Sequence, residues 1–160
     1  MPQDPFVMHE EEYREMSAAI EKLLKESNAK AVYLVDKDGR LMASCGETGG
    51  IDSTSLASLT AGNIAATGGL AKLIGEREFS ILFHEGEKDN LHISVVGQRV
   101  ILVVIFDKRS SLGLVRLRVR RAGDELNRSI QNLIARTESA SSTESLLREI
   151  TDDDIERLFS

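Results

Sequence analysis

The sequence predicts an α+β fold: an α/β/α sandwich in which a five-stranded antiparallel sheet carries one helix on one face and two on the other. A short C-terminal helix is appended. Three observations predict it. The periodicities run in the order helix, two strands, helix, three strands, helix. The strands of each group are joined by short turns, the signature of antiparallel pairing. The last strand, Val100 to Phe106, reads VILVVIF and is apolar on both faces, so its sheet must be covered on both sides and this strand belongs at the centre.

Residues 1–9 read as irregular, because Pro2 and Pro5 discourage an early helix. From Glu10 to Ser27 the spacing is helical, with Tyr13, Met16, Ile20, Leu23 and Leu24 on one face and Asn28 where the helix stops. Ala31 to Asp36 and Leu41 to Cys45 form a hairpin around Asp38-Gly39. Glu47 to Gly50 is a flexible connection. Phe79 to His84 and Leu91 to Val96 are the third and fourth strands, turned by Gly-Glu-Lys-Asp-Asn, and Gly97-Gln98-Arg99 turns into the fifth. The third strand is a candidate edge, where two copies can meet by extending the sheet. A long helix runs from Leu112 to about Thr137 and closes a domain spanning residues 10–137. Residues 138–150 are Ser/Thr/Glu-rich and read as a flexible linker. Residues 151–160 regain a pattern: Thr151 caps, Asp152 to Asp154 favour the positive end of a helix, and Ile155, Leu158 and Phe159 form an apolar stripe. Such a stripe seeks a groove, on its own domain or on a partner.

The organising stretch is the helix between its N-cap, Asp52 or Ser53, and Gly75, its left-handed C-terminal residue. Leu56, Leu59, Asn63, Ala66, Leu70, Leu73 and Ile74 fall on one side, which is expected to face the protein's own core. The opposite side carries Ala57, Ala61, Ala65, Gly68 and Lys72, bordered by Gly62 and Gly69. Each interior glycine costs a helix about 1 kcal/mol relative to alanine. Three of them imply that something must approach the backbone closely, so this side is expected to face a neighbour.

Composition bounds the function. Hydrophobic residues make up 41% and charged residues 29%, an ordinary soluble balance, and no apolar run approaches the roughly 20 residues needed to cross a bilayer. The N-terminus has acids where a signal peptide would be basic, so the reading is cytoplasmic. A net charge of −6 disfavours nucleic acid or an anionic membrane as the main partner. Cys45 is the one cysteine, which excludes an internal disulfide and reads as a small buried hydrophobe. His9, His84 and His92 have no nucleophile or ligand spacing around them, so neither a catalytic residue nor a metal site is predicted. The Gly46–Gly50 loop precedes a helix but lacks the Gly-Lys-Ser/Thr ending of a phosphate cradle. Arg116, Arg118, Arg120 and Arg121 are spread around the third long helix. With aromatics at 4% they read as a solvated surface before a nucleic-acid site, docking of an acidic partner being the minor alternative.

Taken together, IDSTSLASLTAGNIAATGGLAKLIGE, LVDKDG, FHEGEKDNL, VILVVIFD, SLGLVRLRV and the closing TDDDIERLF resemble the roadblock/LC7 family from about Met8 to Phe159. The resemblance implies a homodimer joined through the third strands and second helices, with Phe79, Ile81 and Phe83 at the dimer interface. It implies that two copies bind one Ras-like small GTPase in its GTP form and speed hydrolysis by ordering the GTPase's own switch residues. The chain then contributes no catalytic residue and binds no cofactor, since GTP and magnesium belong to the partner. Carried onto this sequence, the partner-binding residues are Ala57, Ala61, Ala65, Gly68, Gly69 and Lys72, together with Ile155, Leu158 and Phe159 of the tail. The same resemblance implies control of cell polarity and gliding motility, enrichment at a cell pole and polarity co-factors. The alternative is a non-catalytic roadblock scaffold, because a fold alone does not fix a function.

Overall fold

The computed structural model describes residues 10–149, with side-chain surroundings for residues 10–136. Three helices, α1 (Glu10–Ser27), α2 (Ser53–Leu73) and α3 (Leu112–Glu149), enclose five strands: β1 (Ala31–Asp36), β2 (Leu41–Gly46), β3 (Ile81–Glu85), β4 (Asn90–Val96) and β5 (Val100–Phe106). The sheet order is β2-β1-β5-β4-β3, antiparallel throughout, so the doubly apolar β5 is central and β3 is an edge. Every residue of β5 is buried.

Alternation along the strands sends two sets of side chains to two layers. On one face Val32, Leu34, Leu102, Val104 and Phe106 pack with Met16, Ile20 and Leu23 of α1 and with Val115, Val119, Leu126, Ile130 and Leu133 of α3. On the other, Tyr33, Val35, Ile93, Ile101 and Val103 pack with Ala57 and Ile64 of α2. This is the predicted arrangement of two helices against one. The hairpin turn forms as expected: Asp36 Oδ1 accepts from the backbone N–H groups of Asp38 (3.0 Å) and Arg40 (2.9 Å), and Gly39 sits at φ +93°. A side chain at Gly39 would press on Ser58 and Ala61 of α2, so this turn approaches the helix closely.

Two expectations are corrected on the α1/α3 side. Tyr13 is exposed, and its place is taken by Glu12, which lies toward α3 and is bridged by Arg136 at 2.7 Å. The linker expected over 138–150 is helical through Glu149, because that stretch contains no glycine or proline and Ser and Thr are only mildly unfavourable inside a helix. Lys22–Glu125 (3.1 Å), Arg136–Glu11 (3.0 Å) and the hydrogen bond from Ser129 to Glu15 (2.9 Å) tie α3 to α1. The readings of residues 1–9 and 151–160 lie outside the described residues.

Candidate functional site

Helix α2 starts where the sequence places it. Asp52 Oδ1 accepts from the Ser55 backbone N–H at 3.1 Å and Oδ2 from its hydroxyl at 2.8 Å, bonds that hold the Asp52 carboxyl below its usual range. It ends at Gly75, φ +84°, whose N–H reaches the Lys72 carbonyl at 3.2 Å.

The orientation of α2 is not the expected one. Ala57, Thr60, Ile64 and Ala71 face the sheet and are buried, whereas Leu59, Leu70, Leu73 and Ile74 are 73%, 58%, 83% and 69% exposed. Of the large side chains assigned to the core, these four are therefore on the surface of the single chain, and Leu56 alone packs against the sheet layer. The physical reason lies underneath: Tyr33, Ile93, Ile101 and Val103 already fill that layer, so the helix must sit close to the sheet, and alanines allow it. Ala57, assigned to the partner face, is fully buried and cannot serve there. The other assigned residues of α2 stay together, while Ile155, Leu158 and Phe159 lie outside the described residues. Ala61, Ala65, Gly68, Gly69 and Lys72 line a groove of about 500 Å³ with Lys37, Arg77, Glu78 and Gln98. The Lys37–Glu78 ion pair (2.9 Å) fastens the hairpin turn to the α2–β3 connection at its border.

A Cβ added at Gly62, Gly68 or Gly69 would meet nothing within 4 Å. These glycines are not required by the domain's own packing, unlike Gly39. Around the corner, Leu59, Leu70 and Leu73 share one side of α2 at 100° per residue, while β3 presents an unpaired edge with Ile81 exposed. Asn63 Nδ2 lies 3.2 Å from His84 Nε2 and ties α2 to β3. Of the three assigned interface residues, Ile81 and Phe83 lie on β3, with Phe83 stacked on Phe106 at 6.1 Å between ring centroids. Phe79 is half-buried and precedes the strand, which starts two residues later than expected. The α2 leucines are what sequence reasoning missed on this surface. Their signal was available: a helix apolar around most of its circumference is covered on most sides.

Other candidates resolve quietly. Among the described residues no cluster of three or more His, Cys, Asp or Glu side chains could hold a metal. His92 is buried with both ring nitrogens unpartnered, and burial first, then the charge of Arg116, pushes its pKa down. Cys45 donates to the Ile20 carbonyl at 3.4 Å, and burial pushes its thiol up to about 11, far from a reactive thiolate. The Gly46–Gly50 loop borders a concavity of about 600 Å³, but its lysine, Lys30, is paired with Asp89 at 3.1 Å. No described helix is long and apolar enough to cross a membrane.

A central antiparallel sheet with α2 alone on one face and α1 and α3 on the other is the roadblock architecture, and residues 17–106 match the Roadblock/LC7 domain. The chain belongs to the roadblock/LC7 family. Within it, the chain is similar to Myxococcus xanthus MglB, with 61% identity over 79% of this chain and 96% of that one and a TM-score of 0.76. The gliding protein MglB of Thermus thermophilus is 33% identical over 79% of this chain and 96% of its own, with a TM-score of 0.74. An MglB structure with a tetrameric arrangement is 32% identical over 80% and 96%, with a TM-score of 0.76. No curated protein sequence matches the chain.

Proposed function

We propose that this chain is a homodimeric activator of a Ras-like small GTPase of the MglA type. The observation that carries the reading is the groove along α2, where Gly68 and Gly69 leave open space that nothing in the domain uses. Exposed glycines inside a helix cost stability and return it only if another backbone comes close. A GTPase switch loop is such a visitor. The similarity to MglB supports the choice.

On this reading Ala61, Ala65, Gly68, Gly69 and Lys72 receive the switch loops of the GTP-bound partner, and Ile155, Leu158 and Phe159 add a contact away from the nucleotide. The chain supplies no catalytic residue, and GTP and magnesium are the partner's. Stimulation follows from preference. An activator that binds the assembled switch arrangement more tightly than the loose one shifts the partner toward it by that difference in affinity. Placing an arginine against the transition-state charge is worth about 10³–10⁵ in GTPase rate, so organising the partner's own arginine is enough. Two copies pair through β3 and the exposed leucines of α2, and the dimer acts in cell polarity and motility, near a cell pole.

The test is GTP turnover by the cognate GTPase with wild-type chain, Ala65→Arg and Gly69→Arg. Both positions border open space, so the variants fold and pair normally, and stimulation is expected to fall to the unstimulated rate. Near-normal stimulation by both folded variants removes the groove from the binding site.

A further inference from the structure

Four arginines crowd the first turns of α3, and the structure separates them. Arg118 turns toward α1 and reaches Glu26 at 3.8 Å. Arg116, Arg120 and Arg121 are exposed and have no carboxylate partner among the described residues, although the chain as a whole is acidic. In their midst is Leu117, the one large apolar side chain that α3 exposes among the described residues. Positions 117, 120 and 121 are neighbours on a helix surface, at spacings of three and four residues. The result is an apolar spot rimmed by three unpaired positive charges, on the side of the molecule away from α2 and its groove.

The complement is written in this same chain. Its last residues read Asp152-Asp153-Asp154-Ile155-Glu156, a run of acids followed by an apolar residue. They cannot reach the patch on their own α3. Arg121 and Glu149 are about 42 Å apart at ~1.5 Å per helical residue, and Ile155 extends at most ~22 Å beyond Glu149. Cis docking is closed by length alone. We propose that the arginine patch on α3 seats the acidic C-terminal segment of a second copy of this chain, with Asp152–Asp154 against Arg116, Arg120 and Arg121 and Ile155 against Leu117. The contact joins copies through a surface distinct from the β3 edge; it holds the tail of the GTPase-free chain, Ile155 leaves it when the tail moves to the GTPase, and it stands whether or not the chain activates one. It is electrostatic at its rim, so it weakens as salt rises.

The test titrates a fluorescein-labelled peptide of residues 150–160 with the full-length chain and follows anisotropy. Wild-type chain is expected to bind, and affinity is expected to fall at least about tenfold in Arg116→Glu/Arg120→Glu/Arg121→Glu, whose substitutions are exposed and leave the circular dichroism spectrum unchanged. Leu117→Glu weakens binding in the same direction. A peptide with Asp152→Lys, Asp153→Lys and Asp154→Lys is expected to reverse the preference and bind the charge-reversed chain more tightly than wild type. Equal binding by wild-type and reversed chains, no binding to either, or failure of the swapped pair overturns the proposal. So does an acidic peptide of unrelated sequence and equal charge that binds as tightly as the tail peptide.

Discussion

The exposed leucines of α2 give the sharpest expected outcome. Leu70 and Leu73 keep 58% and 83% of their surface in the single chain, so truncating both to alanine removes little from the domain's own core. Burying a whole leucine side chain is worth roughly 2 kcal/mol. If pairing covers what the isolated chain leaves bare, Leu70→Ala/Leu73→Ala loses about 3 kcal/mol per protomer and about 6 kcal/mol per symmetric pair. At about 1.4 kcal/mol per tenfold, the dimer dissociation constant rises by some four orders of magnitude. Sedimentation equilibrium across nanomolar to high micromolar chain measures it, and circular dichroism checks that the dissociated chain stays folded. A double variant that dimerises within tenfold of wild type refutes the reasoning and leaves this apolar face for another occupant.

Two further outcomes follow from single positions. Gly62→Ala places a methyl group in open space inside a helix, so it stabilises the chain by about 1 kcal/mol in urea unfolding at fixed protein concentration; no gain would mean that a second chain already occupies the site. The buried His92 titrates below its ordinary value of 6.5. The unfolded chain therefore takes up a proton that the native ring refuses. The contribution of His92 to stability is intact above pH 6.5 and is lost as pH falls below it. His92→Gln is expected to flatten the stability profile where pH falls below 6.5, and an unchanged slope would assign the acid sensitivity to other groups.

Much of this protein is legible in its residues. Val100 to Phe106 has no polar position, so only a covered central strand can hold it. Asp52 and Gly75 bound α2 because one supplies an acceptor for orphan N–H groups and the other takes the left-handed conformation that ends a helix. The hairpin at Asp38-Gly39 and the edge position of β3 are equally local matters. Tertiary structure decided what periodicity could not. A helix apolar nearly all round has no preferred inward side, and the shape of the sheet beneath α2 chose Ala57, Ile64 and Ala71 over the leucines. That choice buried Ala57, left Gly68 and Gly69 facing open space and placed Leu70 and Leu73 outside. Likewise Glu12 displaced Tyr13 only because α3 brings Arg136 alongside, from far along the chain. Sequence states which side chains are available to a surface; the neighbours they meet determine which surface it becomes.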